Sequence, residues 1–91
     1  MDIEVQQITE DPWEYEVKVL ESDLELGEYK VVMSMDEYGH YGDNVEPYEL
    51  IEATIKFLLD REDPEMIMER FRLSEVERYF PEYPDEVGNY F

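Results

Sequence analysis

From Trp13 to Leu20 the chain reads WEYEVKVL, and its side chains alternate almost without a break. Trp13, Tyr15, Val17 and Val19 fall on one face, and Glu14, Glu16 and Lys18 fall on the other. Period-two alternation built from aromatic and β-branched residues marks a half-buried antiparallel strand. The same period recurs on both sides. Ile3 and Val5 share a face, as do Tyr29, Val31, Met33 and Met35 in EYKVVMSM. Breaks at TEDP around Pro12 and at ESDLELGE around Gly27 divide the run into three strands. Residues 1–36 are therefore expected to form a three-stranded antiparallel meander, with one apolar face covered and one acidic face wet.

The period then changes. DEYGHYGDN, residues 36–44, carries two glycines, Asp43 and Asn44, and reads as a loop. In EPYELIEATIKFLLDRE, Leu50, Ile51, Thr54, Phe57 and Leu58 recur at helical spacing, with Pro47 suited to the first turn. Glu46, Glu49 and Glu52 complement the positive end of the helix dipole, and Lys56 and Arg61 follow towards the negative end. Two shorter helices are expected next. One is capped by Asp63 with Pro64 at its first position, and carries Met66, Ile67, Arg70 and Phe71. The other starts at Ser74, with Glu77 three residues on as a capping box, and turns Val76, Tyr79 and Phe80 inward.

Strands first and helices second make the expected class α+β, a three-stranded meander packed by one long and two short C-terminal helices. One domain over residues 1–91 is expected, with strands in 1–36, helices in 46–80 and an extended tail in 84–91. A chain this short buries only about 60–65% of the surface its unfolded form exposes, so the core is thin. An apolar share of 43% with eight tyrosines, four phenylalanines and one tryptophan suffices to build it and argues against disorder.

Charge sets the expected partners. The 26 acids face 7 bases for a net −19, with 13 acids and 2 bases in residues 1–45 and 13 acids and 5 bases in residues 46–91. A field of this sign repels nucleic acid and anionic membranes, so neither is expected as a direct partner, and it attracts basic proteins. There is no cysteine, which excludes disulfides and thiolate metal sites. No basic start or apolar run suggests a signal peptide, and no stretch approaches the roughly 20 apolar residues of a membrane helix, so a cytoplasmic location is expected.

FLLDREDPEMIMERFRLSEVERYFPEYPDEV resembles the C-terminal part of a group of short prokaryotic proteins without an assigned activity. Phe57, Leu58, Leu59, Arg61, Glu62, Pro64, Phe71, Leu73, Arg78, Tyr79, Phe80, Pro81, Glu82 and Tyr83 carry the resemblance. It covers roughly residues 46–87, and the strands match only in general character. It implies a domain type and no chemistry, and makes the segment through Tyr83 part of the fold.

Candidate sites follow from residue types. His40 is the one imidazole, and no hydroxyl lies in a G-x-S-x-G pattern, so the chain is not expected to be an enzyme. With 26 acids, carboxylate pairs carry no information about glycoside chemistry. Asp36, Glu37, His40 and Asp43 lie within eight residues and form a weak candidate for a hard divalent cation, without EF-hand order. Glycines 27, 39, 42 and 88 match no phosphate loop or dinucleotide motif, and no cofactor is expected. The aromatic end YFPEYPDEVGNYF suits docking to a partner or to a second copy of the chain, with Tyr83, Val87, Tyr90 and Phe91 as candidate contacts beside Glu46, Glu49 and Glu52. The leading expectation is a non-enzymatic interaction or regulatory module with a basic partner. The alternatives are a DNA-mimic inhibitor of a nucleic-acid-binding protein, its acids in rows at phosphate density, and a metal-dependent enzyme centred on His40.

Overall fold

A computed structural model describes residues 2–10, 13–42 and 44–91. The expected breaks at Pro12 and Asp43 lie outside the described residues. Strands β1 (Asp2–Glu10), β2 (Trp13–Glu21) and β3 (Leu24–Met33) pair antiparallel in sequence order. The meander is thus present, and alternation accounts for it: Tyr15, Val17, Val19, Tyr29, Val31 and Met33 are all buried on one face. The β2–β3 turn is not at Gly27. It is Ser22–Asp23, both with positive φ (53° and 67°), the signature of a tight two-residue hairpin whose twist matches the flanking strands.

Gly27 instead lies within β3, where a Cβ would fall 2.6 Å from Cζ of Tyr29. Its missing side chain lets the Tyr29 ring lie along the strand. The hydroxyl then donates to the Pro64 carbonyl.

A fourth strand was not expected. β4 (Arg70–Arg72) pairs parallel with β3, so that Lys30, Val31 and Val32 stand beside Arg70, Phe71 and Arg72. It replaces the second half of the helix expected after Asp63. Pro64–Met66 makes only a single 3-10 turn, and the chain extends because Phe71 reaches the core while Arg70 and Arg72 face water.

The described residues form four α-helices. α1 (Met35–Tyr41) occupies the segment expected to be a loop. Ser34 and Glu37 form a capping box: the Glu37 N–H donates to Ser34 Oγ (3.1 Å), and the Ser34 N–H donates to Glu37 Oε1 (2.8 Å). α2 (Pro47–Leu59) is the expected long helix, with Leu50, Ile51, Ala53, Thr54, Ile55, Phe57 and Leu58 buried against the sheet. α3 (Leu73–Tyr79) starts one residue before the expected cap. The acceptor for the Arg72 N–H is Glu75 (3.1 Å), and the Ser74 N–H donates across to Glu37 Oε2 (2.8 Å). Residues 84–91 are not an extended tail. α4 (Tyr83–Glu86) and a 3-10 turn at Val87–Tyr90 fold them back over α2, because Tyr83 and Val87 are core residues.

The helices cover one face of the sheet and leave the other open. Charge is therefore unevenly placed in space although even along the chain. The alternation puts Lys18, Lys30, Arg70 and Arg72, four of the seven bases, on the open face. There Lys18 pairs in register with Glu28, Lys30 with Glu16, and Arg70 lies 3.7 Å from Glu14.

Candidate functional site

The residues expected at a partner surface separate into three groups. Tyr83 and Val87 are fully buried and are not available for contact. The Tyr83 hydroxyl lies 2.7 Å from Thr54 Oγ1, and Thr54 in turn donates to the Leu50 carbonyl (2.8 Å). Tyr90 is half-buried, and its hydroxyl donates to Asp60 (2.5 Å). Phe91 is 44% exposed and lies against Gly42, where a Cβ would come within 2.7 Å of its ring. Glu46 stands exposed ahead of α2. Glu49 and Glu52 gather with Lys56, Tyr90 and Phe91 around a shallow hollow of about 140 Å³. Lys56 sits 3.2 Å from Glu52, so this hollow is partly neutralised.

Arg61 holds the C-terminal segment in place. Its guanidinium lies 3.7 Å over the Phe57 ring and donates to Glu86 (2.8 Å), Glu82 (3.2 Å) and the Phe57 carbonyl (3.2 Å). Phe57 also packs edge-on against Phe80, Tyr83 and Tyr90. Two acids of this segment, Glu82 and Glu86, are therefore paired within the fold, and Asp85 is exposed.

The proposed cation ligands do not converge. Asp36 is exposed in the first turn of α1. Burial works against the charge of Glu37, but hydrogen bonds from Ser34 and Ser74 outweigh it and hold its carboxyl below the usual range. Both of its oxygens are occupied. His40 lies 4.0 Å from Glu77 and edge-on to Tyr41. Asp43 is outside the described residues. Among the described residues no three Asp, Glu or His groups are placed to hold a metal ion.

Glu77 accepts a hydrogen bond from the Tyr41 hydroxyl (2.6 Å). Burial and then this carboxylate push the Tyr41 phenol well above its ordinary range, so it stays protonated as a donor. The arrangement ties α1 to α3.

One surface feature was not anticipated from the sequence. An apolar cleft of about 160 Å³ opens between the C-terminal end of α2, the segment 64–68 and α3. Leu58 and Glu62 form one wall, and Met66, Ile67 and Met68 a second. Phe71, Val76, Tyr79 and Phe80 complete it. Its floor is buried, but Met66 and Tyr79 at the rim are 69% and 63% exposed. Phe80, expected to point inward, is only half-buried and closes one end.

Hydrogen bonds to β3 fix the methionine-bearing wall at two points. Tyr29 binds the Pro64 carbonyl, and the Lys30 N–H donates to the Glu69 carbonyl (2.7 Å). Ile67 is buried between them. EMIM supplies one buried and two rim residues of the cleft, but nothing in its spacing gathers them with α2 and α3.

No described helix is long and apolar enough to cross a membrane. No family model, curated protein or solved structure matches the chain.

Proposed function

We propose that this chain is a non-enzymatic interaction module that engages a basic protein. The observation that carries the reading is the placement of its charges. Among the described residues, lysine and arginine ion pairs reach only Glu14, Glu52, Glu82 and Glu86 out of the chain's 26 acids. Four of the bases lie on the open sheet face, so the helical side meets solvent with an acidic surface that has few counter-charges of its own. A surface of that kind speeds encounter with a cationic partner and disfavours anionic ones. Self-association works against this field, because each copy carries −19.

The DNA-mimic reading needs unbroken rows of carboxylates. On the strands those rows are interrupted, since Glu14, Glu16 and Glu28 each stand beside Arg70, Lys30 or Lys18. The reading survives only for the helical side.

Capture from a lysate of the source cell, with DNA as competitor, tests the proposal. A basic protein retained at physiological salt and indifferent to DNA is the expected result. Release by DNA would make mimicry the better reading, and retention of no basic protein would refute the interaction role.

A further inference from the structure

Size decides what the apolar cleft can hold. Sites that enclose a cofactor or a drug-sized molecule run from roughly 300 Å³ upward. At about 160 Å³ the cleft is too small for one. An apolar hole of about 150 Å³ is known to accept benzene. The volume therefore matches a single phenylalanine or leucine side chain.

Three further features suit a protein segment. The floor is apolar, so the inserted group brings no hydrogen-bonding needs. The rim carries Met66 and Met68, and methionine adapts its shape to whatever enters. The wall is anchored to β3 at Pro64 and Glu69 before any partner arrives, which lowers the ordering cost of binding.

Charge selects the partner. Glu62 lines the cleft, and Asp63 and Glu65 are exposed along the same segment. The adjacent base, Arg61, is turned away onto Glu82 and Glu86. That side of the mouth therefore presents carboxylates to an incoming chain.

We propose that this cleft docks a cationic amphipathic segment of a partner protein, which inserts one large apolar side chain between Met66 and Tyr79 and sets its lysines or arginines against Glu62, Asp63 and Glu65. The proposal rests on the interaction reading above and gives it a place on the molecule.

The test uses the full chain with methyl-labelled methionine and a synthetic amphipathic helix of leucine and lysine bearing one central phenylalanine. Binding is expected to move the Met66 and Met68 methyl signals and to leave buried Met33 and exposed Met35 in place. Met66→Ser and Tyr79→Ser are expected to keep the fold, because both side chains are mostly exposed. Each is expected to weaken binding by roughly tenfold or more, the effect of losing an anchor contact. Met35→Ser is expected to change nothing. Replacing the peptide's phenylalanine by alanine should weaken binding as much as the rim variants do. Peptide binding that leaves Met66 and Met68 unmoved would overturn the cleft and leave the acidic-surface reading standing. Equal binding of a glutamate-for-lysine peptide would overturn the charge selection. Absence of binding by the lysine peptide would overturn the proposal, while the lysate capture would judge the interaction reading separately.

Discussion

Replacing Thr54 by valine should destabilise the fold more than replacing Tyr83 by phenylalanine, although each removes one hydroxyl from the same hydrogen bond. Both side chains are fully buried, and their oxygens are 2.7 Å apart. Direction decides the asymmetry. The Leu50 carbonyl can only accept, so the single Thr54 proton goes there. Tyr83 must then be the donor in the second bond. Burial, the leading cause, pushes its phenol far above the ordinary range and keeps that proton in place.

In Tyr83→Phe, Thr54 keeps its bond to Leu50 and loses one donor, a cost of about 1 kcal/mol. In Thr54→Val the Tyr83 O–H stays buried with no acceptor, which costs about 1–3 kcal/mol. With both replaced, no polar group is stranded, and the double variant should lie within about 1 kcal/mol of the wild type. The cycle therefore predicts a coupling of about 2 kcal/mol. Urea unfolding followed by circular dichroism measures it. In a domain of this size each kcal/mol moves Tm by about 4–8 °C, so thermal scans also resolve it. Tyr83→Phe costing more than Thr54→Val would reverse the donor assignment. Additive effects would refute the bond, and with it the view that this pair seals α4 onto α2.

Three other outcomes follow from the same contacts. Tyr15, Tyr29, Tyr41 and Tyr83 have phenols raised above their ordinary value, chiefly by burial. The folded chain holds these protons more tightly than the unfolded one, so stability is complete below about pH 10 and falls above it, by at most about 1.4 kcal/mol per pH unit for each such tyrosine, until the folded-state phenol itself ionises. Glu37, with its lowered carboxyl, acts oppositely: its contribution is present above about pH 4.3 and is lost as pH falls further. Urea midpoints across pH, with tyrosinate absorbance, would show this; ionisation of every tyrosine while the chain stayed folded would contradict it. Ser22→Asn with Asp23→Gly should stabilise the hairpin by about 0.5–1.5 kcal/mol, because both positions hold left-handed backbone; no gain in the urea midpoint would contradict the turn. Raising salt should raise Tm by screening a net charge of −19, and a Tm independent of ionic strength would mean that self-repulsion is negligible here.

The meander and α2 were legible because their signals are long. Nine or ten residues of alternation, or thirteen with a helical stripe, leave little room for another reading. β4 was not legible, since three residues cannot display a period and the parallel partner that makes them a strand lies forty positions away. Gly39 and Gly42 masked α1, although Ser34 and Glu37 stood at capping-box spacing. Within the expected break ESDLELGE the turn falls at Ser22–Asp23, which lacks the Asn or Gly that usually marks such a turn, while Gly27 serves a different need, the space its neighbour Tyr29 takes. At the site, Phe91, Glu49 and Glu52 are where a partner could touch them, but Tyr83 and Val87 are interior. An apolar residue near the end of a chain looks the same whether it docks outward or folds back. The cleft stayed hidden because its lining is drawn from α2, β4, α3 and the loop between, and only the parallel strand brings them together.

The most direct test of the account places a photo-crosslinking benzoylphenylalanine at either of two exposed tyrosines in the source cell. Tyr79 (63% exposed) is on the cleft, and Tyr48 (51% exposed) is on α2 outside it. The account predicts a discrete adduct with a basic protein from position 79 and none of that kind from position 48. Equal adducts from both positions, or from 79 an adduct only with acidic proteins, would contradict it.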